Sequence, residues 1–292
     1  MQTSTKAAPT AAPMLAAMAG VFLLSIMDAA VKAVSGYVPT WQIVFLRYAF
    51  GVAYALPLFL GAHAHLPRGE VLRAHLLRAV AIVTTAFSFF YALSALPLVV
   101  TLALTFTAPI MIALLARMTL HERPSLGVWA AIGLGFLGVL VVLAGEVDRS
   151  GTSTVWGVLA ALVAAGSYAI SMVSLKARAG RDSIPTIVFL QNAAAMLLVT
   201  PFGVWSWTPV SGNLLLWFAL IGLLGTAGHI VLAWAYGRAD ASRLGSVEYT
   251  AFVWATLLGL VFFGEVPSLA TIAGAVLILG GAVVAVRAEH KA

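Results

Sequence analysis

The sequence predicts an all-α integral membrane protein, with ten transmembrane helices arranged as two inverted five-helix repeats. Three observations lead there. The first is composition: of 292 residues, 62% are hydrophobic and only 9% are charged, and the mean hydropathy is +1.04. A soluble domain of this size needs far more charge to cover its surface, whereas a surface that faces lipid needs none. The second is that arginine and lysine fall in alternate links between apolar runs. The third is that the second half of the chain repeats the first.

Residues 1–13 are polar, contain Pro9, Pro13 and Lys6, and predict a disordered cytoplasmic tail. A cleaved signal peptide over Met14–Val34 is the rival reading. Against it, Asp28 and Lys32 would sit in or beside the apolar core, and no clean small-residue cleavage site precedes Tyr37. Ten apolar runs follow, each near the ~20 residues a helix needs to cross the hydrocarbon core. They are Met14–Val34, Trp41–Leu60, His75–Ala95, Val99–Met118, Leu126–Leu143, Val155–Leu175, Ile184–Val204, Leu214–Tyr236, Ser242–Phe263 and Leu269–Val286. Residues 14–143 make the first repeat, 155–286 the second, and 287–292 a second cytoplasmic tail. Pro97, Pro124, Pro209 and Pro267 lie between runs, as helix breakers should. Pro109 lies inside the fourth run, where it would kink the helix and free a carbonyl. Such a break is tolerated where a neighbour or a wet cavity satisfies it.

Positive charge orients the runs. With the N-terminus cytoplasmic, the inward links carry Arg68, Arg73, Arg78, Arg117, Arg123, Lys176, Arg178, Arg181, Arg238 and Arg243, and the tails carry Lys6, Arg287 and Lys291. The outward links carry Arg149. This bias places both termini in the cytoplasm and the chain in the inner membrane.

The repeat shows in three places. Pro39–Thr40 followed by IVFLRYA matches Pro185–Thr186 followed by IVFLQNA. Lys32 aligns with Lys176. Glu122, Pro124, Ser125 and Leu126 align with Glu265, Pro267, Ser268 and Leu269. An odd number of helices per copy inverts the second copy in the bilayer. Inverted repeats suit a secondary transporter, because two interchangeable halves give two mirror-related states of one pathway.

The first-copy run Leu77–Glu122, with FYALSALPLVVTLALTFTAPIMIALLARMTLHE, and the second-copy run Tyr236–Glu265, with ASRLGSVEYTAFVWATLLGLVFFGE, resemble the duplicated ten-helix EamA-type members of the drug/metabolite transporter superfamily. The resemblance spans about residues 14–287. It implies cytoplasmic termini, a central substrate path, and movement of amino acids, drugs, vitamins, nucleoside-like cofactors or metallophores, mostly outward.

Polar groups at membrane depth are the candidate site, because a charge there is costly unless function keeps it. Asp28 lies about fourteen residues into the first run, roughly 20 Å from the inner surface. It either faces the pathway as a cation or proton site, or pairs with Lys32 one turn on. Arg47 could meet a substrate carboxylate or pair with Asp28, and its repeat counterpart is Gln191, with Asn192 beside it. His229 lies within the eighth run. Glu248 lies within the ninth, with the hydroxyl of Tyr249 next to it. Glu248 binds substrate or couples protons, or else partners His229, Arg238 or Arg243. Tyr91, Tyr168, Trp234 and Trp254 are deep enough to line an aromatic cavity. Glu122 and Glu265, at matching helix ends, suit loop or cap duty.

Other functions are disfavoured. The chain has no cysteine, so thiolate metal sites, disulfides and cysteine nucleophiles are excluded. Its net charge of +6 is scattered through short links rather than along one face, which argues against nucleic acid. No phosphate-binding glycine loop, metal cluster or catalytic dyad is present, so neither an enzyme nor a bound cofactor is expected. The expected function is secondary transport of a small polar or zwitterionic metabolite: an amino-acid-like compound, an amino-acid-derived metallophore or a drug. Export by alternating access, driven by protons or exchange, is the leading reading. Uptake of a vitamin or cofactor such as riboflavin or S-adenosylmethionine is the alternative, and a non-transporting membrane subunit is the reading from another class. The expected partners are a small solute, the bilayer and protons, in a monomer or homodimer.

Overall fold

The computed structural model of the chain describes residues 11–120, 126–147, 152–179, 181–205, 207–239, 244, 247 and 250–289. Glu122, Glu248 and Tyr249 lie outside the described residues. The described residues form helices and no strand, with one isolated bridge between Ala179 and Asp182. The helices are α1 (Ala11–Val34), α2 (Thr40–Gly61), α3 (Gly69–Ala95), α4 (Leu98–Thr105), α5 (Ala108–Leu120), α6 (Leu126–Val147), α7 (Thr152–Arg178), α8 (Ile184–Trp205), α9 (Gly212–Tyr236), α10 (Thr250–Phe263) and α11 (Leu269–Glu289). Among the described residues, 7 helical stretches are long and apolar enough to cross a membrane.

Local chemistry sets the helix ends. Pro39 and Pro97 precede α2 and α4 in extended backbone, where a proline ring fits and its missing N–H costs nothing. Ser211 accepts from the amide of Leu214 to cap α9, and Ser268 accepts from the amide of Thr271 to cap α11. Each satisfies one orphan donor of a first turn. Gly264 closes α10 at φ 63°, a backbone region glycine enters without a side-chain clash.

The structure departs from the sequence expectation where helices run past their apolar runs, α1 from Ala11 and the last helix to Glu289 inside the expected tails and α7 through Lys176 and Arg178, and most clearly at two further places. The fourth run is split. Pro109 cannot donate to the carbonyl four residues back, and the chain leaves the helix at Phe106–Thr107 between α4 and α5. The third helix starts at Gly69, not His75, because its charged first turns continue past the apolar run. Arg73 therefore belongs to α3 rather than to a link, and Arg78, already within the run, is buried at 4% exposure. That removes Arg78 from the inward link charges.

Large apolar side chains such as Leu77, Leu197, Leu216 and Val261 point outward, as expected where the solvent is hydrocarbon. Inside, two main clusters stack along the bundle. One gathers Val31, Val34, Ile43, Leu93, Leu98 and Phe218. The other gathers Ala17, Val21, Ile112, Met172, Ile187 and Tyr236. The helix contacts keep their pattern when 11–147 is exchanged with 152–289. The contact of α1 with α9 has its counterpart in α7 with α3, α2 with α9 in α8 with α3, and α1 with α10 in α7 with α4 and α5. The pairs α2–α8, α6–α11 and α4–α10 map onto themselves. Pro57 inside α2 and Pro201 inside α8 match in the same way.

Two contacts make checkable demands. At Gly222, α9 meets α2 so closely that an added Cβ would collide with Phe50 Cβ and come within 3.1 Å of the Gly51 amide nitrogen. Gly222→Ala is expected to cost about 1–3 kcal/mol through overpacking, read as a lower thermal midpoint in detergent. At the helix ends, Arg178 donates twice to Asp182 at 2.8 and 2.9 Å, and His75 Nε2 lies 3.0 Å from the same carboxylate. Burial pushes the Asp182 carboxyl up, but the hydrogen bonds and charges of Arg178 and His75 outweigh it and hold its pKa below the usual range. A depressed carboxyl stabilises fully above its unfolded pKa of about 3.9 and loses that contribution as pH falls through the lower folded value. Unfolding curves taken downward from about pH 5 should therefore show an acid loss that Asp182→Asn removes. An identical acid limb in that variant would contradict the account.

Candidate functional site

A cavity of ≈ 170 Å³ opens between α1, α2, α3, the α4–α5 break, α7, α9 and α10. That is room for roughly ten waters or one small solute. Its walls are mostly apolar and aromatic, including Val21, Leu24, Ile82, Phe89, Phe90 and Phe106. The polar groups are few: Ser25, Asp28, Arg47, Tyr48, Thr85, Thr105, Tyr168, Ser171 and His229. An apolar pocket with a few convergent polar groups is the usual form of a small-molecule site.

Asp28 lies on the inner face of α1, 8% exposed. Among the described residues, none makes an ion pair or hydrogen bond to its carboxylate. Lys32, one turn on, does not pair with it. The Lys32 amine instead sits 3.1 Å from Glu265 and donates to the carbonyls of Leu93 and Leu96. The sequence spacing allowed an Asp28–Lys32 pair, but Asp28 turns to the cavity and Lys32 to the end of α3. Glu265 also accepts from the amide of Leu98, the first residue of α4, which is the expected cap duty.

Arg47 reaches the cavity from α2. Its Nε lies 3.4 Å from Met27 Sδ, and its guanidinium lies 4.3 Å from the Tyr48 ring centroid. Gly225 on α9 makes space for it, since an added Cβ there would come within 3.1 Å of Arg47 Nη2 and 2.9 Å of Met27 Sδ. Arg47 and Asp28 are not within ion-pair distance, although both line the same cavity. An acidic and a basic group thus share one cavity without touching.

His229 closes the group. Its Nδ1 lies 2.7 Å from the Gly225 carbonyl. A carbonyl only accepts, so Nδ1 carries the proton, and in the neutral ring Nε2 is left as an acceptor. One residue, Gly225, therefore makes room for Arg47 and orients His229.

The remaining predicted residues that the structure describes lie outside the cavity lining. Gln191 accepts from Arg78 Nη2 at 3.0 Å, and Arg78 Nε donates to the carbonyl of Ser171 at 3.2 Å. Arg78 thus ties α3, α7 and α8 together behind the wall. Counting it as a link charge hid it, although it lies one turn inside the run that starts at His75. Asn192 donates to the Val188 carbonyl and packs against Gly51. Tyr91 stacks on Phe87, Trp234 lies under the Arg238 guanidinium, and Trp254 packs on Phe22 at 4.6 Å. Tyr168, by contrast, lines the cavity as its depth in the sequence suggested, and so does Tyr48, whose only signal was adjacency to Arg47.

Comparison with known proteins gives a consistent result. The model of the EamA-like transporter family matches residues 11–144 and again residues 155–287. The pseudopaline exporter CntI of Pseudomonas aeruginosa is 30% identical over 268 residues, covering 91% of this chain and 92% of that protein. An S-adenosylmethionine uptake transporter of Rickettsia felis is 25% identical over 281 residues, covering 94% and 93%. A riboflavin transporter of Rhizobium johnstonii is 28% identical over 258 residues, covering 87% and 83%. A solved crystal structure shares the fold with a TM-score of 0.71 at 24% identity, over 96% of this chain and 99% of that one.

Two outcomes follow from the geometry. Arg78→Met leaves Gln191 Oε1 and the Ser171 carbonyl without their buried donor and should cost about 3 kcal/mol, seen as a lower thermal midpoint. Nitrogen NMR of labelled His229 should show the Nδ1–H tautomer of a neutral ring, and a dominant Nε2–H tautomer would contradict the assignment.

Proposed function

The chain belongs to the EamA-like transporter family, and from that premise we propose that it is a secondary transporter of a small zwitterionic metabolite, which binds between Asp28 and Arg47. The observation that carries this reading is that Asp28 and Arg47 line one cavity and, among the described residues, neither makes an ion pair. A buried charge without a partner is costly. A solute bearing both an ammonium and a carboxylate satisfies both groups at once, and its apolar or planar body suits the aromatic wall. His229 Nε2 adds an acceptor for an N–H or O–H of the solute.

The chain works by alternating access between two inverted five-helix repeats, in ten transmembrane helices. The exchange symmetry of the helix contacts and the double family match support this. It lies in the inner membrane with both termini cytoplasmic, which the distribution of arginine and lysine between links supports. It acts as a monomer or homodimer. Asp28 exchanges a proton against the solute, because a buried carboxylate that loses its cationic partner is neutralised most cheaply by a proton.

Export is the preferred direction, supported by the likeness to a pseudopaline exporter. Uptake is the second reading, supported by the relatives that take up S-adenosylmethionine and transport riboflavin. Comparing metabolites inside and outside cells with and without the gene would identify the solute and its direction together.

With that solute labelled, proteoliposomes of the purified chain should show flux that responds to a pH gradient. Asp28→Asn should abolish the response to pH, and Arg47→Met should cut flux at least ~10-fold, the loss of about 1.4 kcal/mol of binding. Unchanged flux in both variants, with the fold intact, would remove this cavity from the pathway.

A further inference from the structure

We propose that the Glu265 carboxylate is a clasp between the two halves of the chain, closing the pathway at the Lys32 end and releasing when that end opens. This rests on the reading of the cavity as a transport path. Glu265 follows α10, in the second half. Its Oε1 lies 3.1 Å from Lys32 Nζ on α1, and its Oε2 accepts from the Leu98 amide at 2.8 Å. One side chain of the second half thus holds two elements of the first.

The local backbone aims it. Gly264 turns the chain at φ 63°, and the Glu265 amide donates back to the Gly259 carbonyl at 3.0 Å. Gly259 lacks a Cβ where Glu265 Oε2 passes, 3.2 Å from where that atom would lie. Across the gap, α4 begins after Pro97 with no side-chain cap of its own. Its amide end carries partial positive charge, which a carboxylate suits. Lys32 and Glu265 are 15% and 18% exposed, so the pair is partly shielded from water and worth more than a surface contact.

Lys32 makes a second kind of contact that belongs to the scaffold. It donates to the carbonyls of Leu93 and Leu96 at the end of α3, at 3.1 and 2.8 Å. Those carbonyls are among the last of a helix, without helical donors. The second half has the same arrangement: Lys176 Nζ lies 3.5 Å from the Tyr236 carbonyl and 2.8 Å from that of Ala239, at the end of α9. Each lysine is thus tied within its own half, whereas Glu265 crosses from one half to the other. Motion of one half against the other leaves the lysine anchors intact and breaks the Glu265 contacts. The clasp also reaches the cavity, because α4 is only 8 residues long and runs from Leu98 to the break that lines it.

The absence of native cysteine allows a direct test. Ser25→Cys is near-isosteric and lines the cavity. In proteoliposomes, a membrane-impermeant thiol reagent is applied from one side and then from the other, and the two labelling rates are compared. Glu265→Gln keeps an acceptor for the Leu98 amide but loses the ion pair. It should raise the rate from the Lys32 side by about tenfold and lower the opposite rate, as a shift in the population of two states requires. Glu265→Asp, which keeps the charge but is one carbon shorter, should shift the ratio in the same direction by less, and it serves if the glutamine variant does not fold. A wild-type ratio in the folded variants, or equal acceleration from both sides, would overturn the clasp. Labelling from one side alone in the Ser25→Cys background under all solute conditions would overturn alternating access itself, and the clasp with it.

Discussion

Asp28 and Arg47 face one cavity at membrane depth, with opposite charges and no contact between them. In a medium of low polarity each such charge demands a partner, and the cost of leaving it bare is several kcal/mol. The bundle could have supplied one by moving the two side chains together. Instead Arg47 is held against Met27 and Tyr48, in space that Gly225 leaves open. The surrounding packing keeps the acidic and the basic group of the cavity apart.

The other buried charges lack this property. Arg78 is bound by Gln191 and the Ser171 carbonyl, Lys32 by Glu265 and the end of α3, and Lys176 by the end of α9. These contacts fasten helices across or within the halves. The comparison of Arg47 with its repeat counterpart Gln191 is instructive. Both occupy the same place in α2 and α8, but Gln191 is spent on Arg78, while Arg47 is left for the cavity. Of two positions that correspond in the sequence, one fastens helices while the other lines the cavity.

Much of this was legible in the sequence, for physical reasons. Hydropathy reports the solvent a helix faces, so the apolar runs located the helices. Pro109 lacks an amide proton, so the split between α4 and α5 followed from one residue. Asp28, Arg47 and His229 stood out because intramembrane polar groups are expensive and therefore rare. What stayed hidden depended on helix rotation and on contacts distant in the chain. The i,i+4 spacing of Asp28 and Lys32 permits a pair, but only the packed bundle shows that one faces the cavity and the other the end of α3. Arg78 was masked because, near the start of its run, it was counted with the charges of the preceding link. The partners of Gln191 and Glu265 are more than a hundred residues away, and no local pattern names them. Glu248 and Tyr249, prominent in the sequence, lie outside the described residues, so their part in the site rests on position alone.

The most direct measurement is an experimental structure of the chain with its exported or imported metabolite bound. The solute should lie between Asp28 and Arg47, its cationic group on the carboxylate and its anionic group on the guanidinium, within reach of His229 Nε2. A solute bound elsewhere, with Asp28 and Arg47 still apart and unoccupied, would contradict the account.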